Sequence, residues 1–295
     1  MSRAGAWRHW FAATRPKTLA ASIVPVLVGT AFAYRAGLFA PLAATCCLVG
    51  AILIQVGTNL ANDYHDHVRG ADTASRVGPA RASASGWIPP KRVLAAALLA
   101  FALAAAAGLY LVYVAGWPLL VVGLLAVASG YAYTGGPYPL GYHGWGDAFV
   151  FVFFGLVAVA GTYYVQAGPA SLDVLAAGAA IGALATAILV VNNLRDIETD
   201  RAARKRTLAV RVGAAGTRAE YAMLILFASA VPLWLFIRGY SPSILLPTLA
   251  LPLGLGLSRQ VARTREPRAL NPLLARTAQY LVLNGLLWAA GVILA

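Results

Sequence analysis

The chain has 295 residues, of which 60% are hydrophobic and only 11% charged, against about a quarter charged in an ordinary water-soluble domain. Its formal net charge of +13 would suit a nucleic-acid partner in a soluble protein. Here long, nearly uncharged runs exclude that class and assign the basic residues to the cytoplasmic side of a membrane.

The N-terminus is basic (Arg3, Arg8, Arg15, Lys17) and lacks a small-residue cleavage site before the next polar stretch. The first apolar run is therefore expected to be a retained helix and not a signal peptide. Pro, Gly and charge punctuation then divide the chain into nine apolar spans, at about 18–35, 38–59, 93–114, 117–134, 148–166, 172–193, 220–238, 241–258 and 277–295. Runs of this length cross a hydrocarbon core of roughly 30 Å as helix, and lipid offers the backbone no other hydrogen-bond partners. The expected fold class is all-α, a polytopic membrane protein with nine transmembrane helices. Cys46 and Cys47 are adjacent inside the second run, which suits neither a disulfide framework nor a metal site.

Short turns fall near 36, 115, 168 and 239, and longer junctions at 60–92, 135–147, 194–219 and 259–276. Of the 23 lysines and arginines, only Arg35 and Arg238 lie outside the N-terminus and the longer junctions. This bias predicts a cytoplasmic N-terminus, with the longer junctions on the same side. Localisation is read as the cell membrane, multi-pass.

Acidic residues follow another logic. Only ten occur, and six sit just past the second and sixth spans: Asp63, Asp66 and Asp72, then Asp196, Glu198 and Asp200. Both groups begin with Asn and place Asp four residues later, as Asn62-xxx-Asp66 and Asn192-xxx-Asp196. The repetition suggests a single membrane domain, 1–295, built of two pseudo-repeat halves of about 1–135 and 136–295. Residues at i, i+4 and i+8 share a helix face, so Asn192, Asp196 and Asp200 form an oxygen-rich stripe if the sixth helix continues. Gly70 is expected to bend the chain and return Asp72 to the site.

Stacked like charges destabilise a helix, and all-oxygen donors suit Mg²⁺, which takes a few carboxylates plus substrate phosphates. Asn62, Asp66, Asp72, Asn192, Asp196 and Asp200 are thus candidate metal ligands, with Asp66, Asp196 and Asp200 central to catalysis. Arg69, Arg76, Lys205 and Arg206 are candidate grips for a diphosphate. The competing reading is a pair of solvated loops whose acids pair with neighbouring arginines; two matched clusters favour the metal–diphosphate clamp. His65 and His67 read as loop residues, not ligands.

These motifs resemble the two aspartate-rich motifs of the UbiA-type aromatic prenyltransferases. Within that superfamily, Asn59-Leu60-Ala61-Asn62-Asp63-Tyr64, Gly78-Pro79-Ala80-Arg81, Tyr133-Thr134-Gly135-Gly136-Pro137-Tyr138-Pro139-Leu140-Gly141-Tyr142 and Lys205-Arg206-Thr207-Leu208-Ala209-Val210 are similar to the 1,4-dihydroxy-2-naphthoate polyprenyltransferases of menaquinone synthesis. Asp72 at +10 in the first motif agrees with that branch. Asp147 stands where the branch leads one to expect Glu.

The resemblance implies a nine-helix UbiA-type bundle in membrane lipid that uses Mg²⁺ to join a polyprenyl diphosphate to 1,4-dihydroxy-2-naphthoate, with loss of CO₂. Tyr64, Tyr131 and Tyr133 are candidates to face an allylic cation, and Lys17, Arg81 and Asp147 to orient the acceptor. A prenyltransferase for another aromatic acceptor, such as 4-hydroxybenzoate or homogentisate, remains open. So does a secondary transporter, although coupling groups in transporters usually lie near mid-membrane.

Overall fold

The computed structural model describes residues 3–72 and 77–295, with side chains from Trp7 onward. Among the described residues, and apart from short 3-10 turns at Pro16–Thr18 and Leu140–His143, ten helices run in chain order: α1 (Arg3–Ala13), α2 (Ala20–Arg35), α3 (Pro41–Val68), α4 (Pro90–Ala115) and α5 (Trp117–Ala132), then α6 (Gly146–Ala167), α7 (Leu172–Ala202), α8 (Leu208–Ile237), α9 (Pro242–Arg263) and α10 (Pro267–Leu294). There is no strand among the described residues.

Among the described residues, seven helices (α3, α4 and α6 to α10) are long and apolar enough to cross a membrane. Trp7–Thr18 and Ala20–Arg35 pass that test together, bent by 51° between them, and α5 is a shorter apolar helix. The nine expected spans therefore correspond to α2–α10. Several helices outrun the expected boundaries, because an apolar-run reading stops at the first polar residues while the backbone remains helical. α3 continues to Val68 and α7 to Ala202, so both acidic motifs are largely helical. His65 and His67, read as loop residues, lie on α3.

Helix α7 is the enclosed centre of the bundle, with 78% of its most apolar window buried. Small residues allow this. A Cβ on Gly155 of α6 would lie 2.5 Å from the Gly178 carbonyl oxygen and from Cα of Gly182, so the two backbones touch there. The contact coincides with a π-helical turn at Val152–Val157. Around α7, a large core gathers Val28, Ile181, Leu184, Tyr221, Ile225 and Trp288. A second cluster joins α1, α3 and α4 through Ala13, Leu60, Ala61, Val93 and Phe101. Large apolar side chains such as Leu99, Leu226, Ile237, Leu249 and Leu286 remain exposed, as lipid-facing positions are in a membrane bundle.

Candidate active site

On α3, Asn62 and Asp66 are one helical turn apart and both are buried, Asp66 to 2% exposure. Asp66 is a hub. Its Oδ2 accepts from Arg81 Nη2 at 2.9 Å, while its Oδ1 accepts from the Tyr142 hydroxyl at 2.8 Å and from Lys205 Nζ at 2.9 Å. The Asn62 Oδ1 accepts from the Thr134 hydroxyl at 2.7 Å. Past α3, Gly70 adopts a φ of 70°, a left-handed turn that glycine takes without steric cost. The expected bend follows, and Asp72 Oδ1 lies 3.6 Å from Arg81 Nε. Arg81 thus holds Asp66 and Asp72 together. Asp63 points elsewhere: its two oxygens accept from the backbone N–H groups of Ala82 and Ser83, fastening the loop that presents Arg81.

On α7, Asn192, Asp196 and Asp200 recur every four residues and all line one cavity. Arg195 is buried beside them and donates to both Asp196 oxygens, through Nε at 2.7 Å and Nη2 at 2.5 Å. It also donates to Asn192 Oδ1 at 2.8 Å and to Asn271 Oδ1 on α10 at 2.9 Å. Glu198 turns away to an exposed pair with Arg201.

Both motifs face the same cavity of about 540 Å³. Asn62, Asp66, Asp196, Asp200 and Lys205 line it where α3 and α7 leave the apolar core. Farther along, Leu109, Leu120, Leu124, Phe149 and Phe153 of α4–α6 line it. A polar head and an apolar tail can therefore occupy one continuous space.

The other expected residues separate. Tyr133 lines the cavity. Tyr64 and Tyr131 instead pack edge-on around His65, at ring separations of 5.1 and 5.0 Å, and are not among the lining residues. Arg69 donates to the Gly136 carbonyl and sits 5.4 Å over the Tyr142 ring. Arg206 is exposed and meets the site through its backbone N–H, bonded to the Tyr142 carbonyl. Lys17 is exposed on an outer groove with Ala275 and Gln279. Asp147 is buried at the start of α6, its Oδ2 without a hydrogen-bond partner. Arg76 lies outside the described residues.

Sequence reasoning missed Tyr142, Thr134, Arg195, Asn271 and the cavity-lining Arg15. Arg195 carried a signal, since it sits inside the second acidic motif. Asn271 carried none, because its role depends on α10 packing against α7. Burial first, and then the Asp66 carboxylate, push the Tyr142 hydroxyl far above its ordinary value, which keeps it a hydrogen-bond donor.

No three His, Cys, Asp or Glu side chains among the described residues converge on one metal-sized point. Each motif offers one or two carboxylates with an Asn amide oxygen. That donor set fits a hard divalent ion whose shell is completed by water and substrate phosphate oxygens.

An all-helical membrane bundle with paired acidic motifs over a half-apolar cavity defines the class, and residues 22–283 match the UbiA prenyltransferase family. The chain belongs to that family. It is 40% identical over 293 residues, 97% of its own length and 95% of the relative's, to a 1,4-dihydroxy-2-naphthoate octaprenyltransferase of Escherichia coli K12. It is 42% identical over 284 residues, 96% and 95% of the two lengths, to the protein of that description in Mycobacterium tuberculosis H37Rv. The fold resembles a UbiA homolog from Archaeoglobus fulgidus bound to GPP and Mg²⁺, with a TM-score of 0.70 at 17% identity, covering 97% of this chain and 100% of that one.

Proposed function

We propose that the protein transfers a polyprenyl chain from its diphosphate to 1,4-dihydroxy-2-naphthoate, releasing diphosphate and CO₂ and giving demethylmenaquinol for menaquinone biosynthesis. One observation carries the chemistry: two Asn-xxx-Asp helix faces share a single cavity that continues between the apolar side chains of α4–α6. The acceptor is supported by relatives of 40% and 42% identity described as naphthoate prenyltransferases. Those matches favour naphthoate over a benzoate or homogentisate acceptor.

Mg²⁺ would be held by Asn62, Asp66 and Asp72 on one side and by Asn192, Asp196 and Asp200 on the other, supplying positive charge for the leaving diphosphate. The Archaeoglobus homolog, bound to GPP and Mg²⁺, supports this reading. Lys205 reaches the cavity at Asp66 and would grip a phosphate oxygen, with Arg69 and Arg206 close by on the surrounding loops. The Tyr133 ring would face the allylic carbon, where an aromatic surface steadies positive charge by about 0.5–2 kcal/mol. The apolar walls of α4–α6 would hold the tail and keep water from the cation.

The basic-residue bias supports a cytoplasmic N-terminus and a site facing the cytoplasm in the cell membrane. The two-half organisation is supported by corresponding pairs: α3 packs extensively on α4, and α7 on α8. The test is turnover by purified protein with Mg²⁺, one polyprenyl diphosphate and a panel of acceptors, with naphthoate expected to be preferred.

A further inference from the structure

Arg195 has 3% of its surface exposed, near the end of a helix that runs through the bundle. An arginine buried so deeply is costly unless its donors are filled. The two bonds to Asp196, one to Asn192 and one to Asn271 fill four of its contacts. A cation needed only to neutralise Asp196 would require none of this angular detail. A planar fork with three different acceptor residues fixes their orientations as well as their charge.

Asn271 extends the chain of contacts. Its Oδ1 accepts from Arg195, and its Nδ2 donates to the Val77 carbonyl at 3.2 Å. Val77 begins the described part of the loop that carries Arg81, and Arg81 holds Asp66 and Asp72. The two acidic motifs, on different helices, are therefore joined through Asp196, Arg195, Asn271, this loop and Arg81. Asn271 is not among the residues lining the cavity, so it acts only through others.

We infer that Arg195 and Asn271 are positioning residues for the diphosphate site. Arg195 sets the carboxylate plane of Asp196 and the amide of Asn192. Asn271 holds Arg195 in place and ties the second motif to the loop that orders the first. The inference rests on the diphosphate chemistry proposed above. Partners that orient metal ligands are commonly worth about 10–100-fold in metal affinity, and Asn271→Leu should show an effect of that order.

The experiment measures Mn²⁺ binding by electron paramagnetic resonance, in the presence of inorganic diphosphate, for detergent-solubilised wild type, Asn271→Leu and Arg195→Lys. Asn271→Leu is expected to weaken Mn²⁺ binding about tenfold and to raise the KM for prenyl diphosphate, while Tm and the KM for naphthoate stay near wild type. Arg195→Lys keeps the charge but loses the fork, and is expected to weaken binding similarly. If Asn271→Leu does not fold, Asn271→Ser is measured in its place. Variants that bind Mn²⁺ within about twofold of a normally binding wild type would overturn the positioning role alone. A wild type that binds no Mn²⁺ with diphosphate would overturn the clamp and this inference with it.

Discussion

Lys205 and Asp66 stand 139 residues apart in the chain and meet at 2.9 Å. The contact carries the loop after α7 across the cavity onto α3, so the two halves of the site close on each other. Tyr142 lies under it, donating to the same Asp66 oxygen while its ring sits 4.6 Å from the Lys205 ammonium. An entering diphosphate would compete with Asp66 for that ammonium.

Lys205→Met is accordingly expected to raise the KM for prenyl diphosphate far more than that for naphthoate. A hydrogen bond to a charged group contributes about 1.5–3 kcal/mol, equivalent to roughly tenfold to a hundredfold. Steady-state kinetics with each substrate varied in turn check this, and equal shifts in both constants would contradict the assignment.

Asp66→Ala and Asp196→Ala are each expected to abolish Mg²⁺-dependent transfer while leaving membrane insertion intact. Radiolabelled prenyl transfer, together with membrane fractionation, measures both properties. Activity retained in both variants would remove the clamp.

Much of this site was legible in the sequence because it depends on local spacing. Asn192, Asp196 and Asp200 share a face for any continuous helix, and Gly70 announced the turn that brings Asp72 back. Tyr142 and Asn271 were not legible. Their partners lie 76 residues away in each case, Asp66 for Tyr142 and Arg195 for Asn271, and no periodicity reports such distances. Arg81 was read as an acceptor contact, but in the structure it is tied between Asp66 and Asp72. The fold was legible to the level of its nine spans. Their ends were not, since polar residues at the rims of α3 and α7 remain helical.

The hydroxyl of Tyr142 gives a pH prediction. Its folded-state affinity for the proton is raised by burial and by the Asp66 carboxylate. Its stabilising hydrogen bond is therefore fully present below the ordinary tyrosine pKa of about 10 and is lost only as pH rises through the raised value. Tyr142→Phe is expected to lower kcat/KM by a constant factor between about pH 6 and 9, leaving the shape of the profile unchanged. A mutant profile that diverges from wild type within that window would show that Tyr142 titrates there.

Gly155→Ala tests the packing of α6 on α7. The added methyl would stand 2.5 Å from the Gly178 carbonyl oxygen and from Gly182 Cα, so the helices must separate. Overpacking of this kind costs about 1–3 kcal/mol. The expected result is a lower Tm in detergent, measured by thermal unfolding, and a wild-type Tm would show that the two backbones are not in contact.

The central claim is that two acidic helix faces hold the diphosphate of a prenyl donor for transfer to a naphthoate. Purified protein given a polyprenyl diphosphate, 1,4-dihydroxy-2-naphthoate and Mg²⁺ tests it most directly, with prenylated product, CO₂ and diphosphate all quantified. Equal amounts of the three, lost on chelation of the metal, are predicted. Turnover with another aromatic acceptor but none with dihydroxynaphthoate would contradict the acceptor assignment, and undiminished turnover after chelation would contradict the clamp.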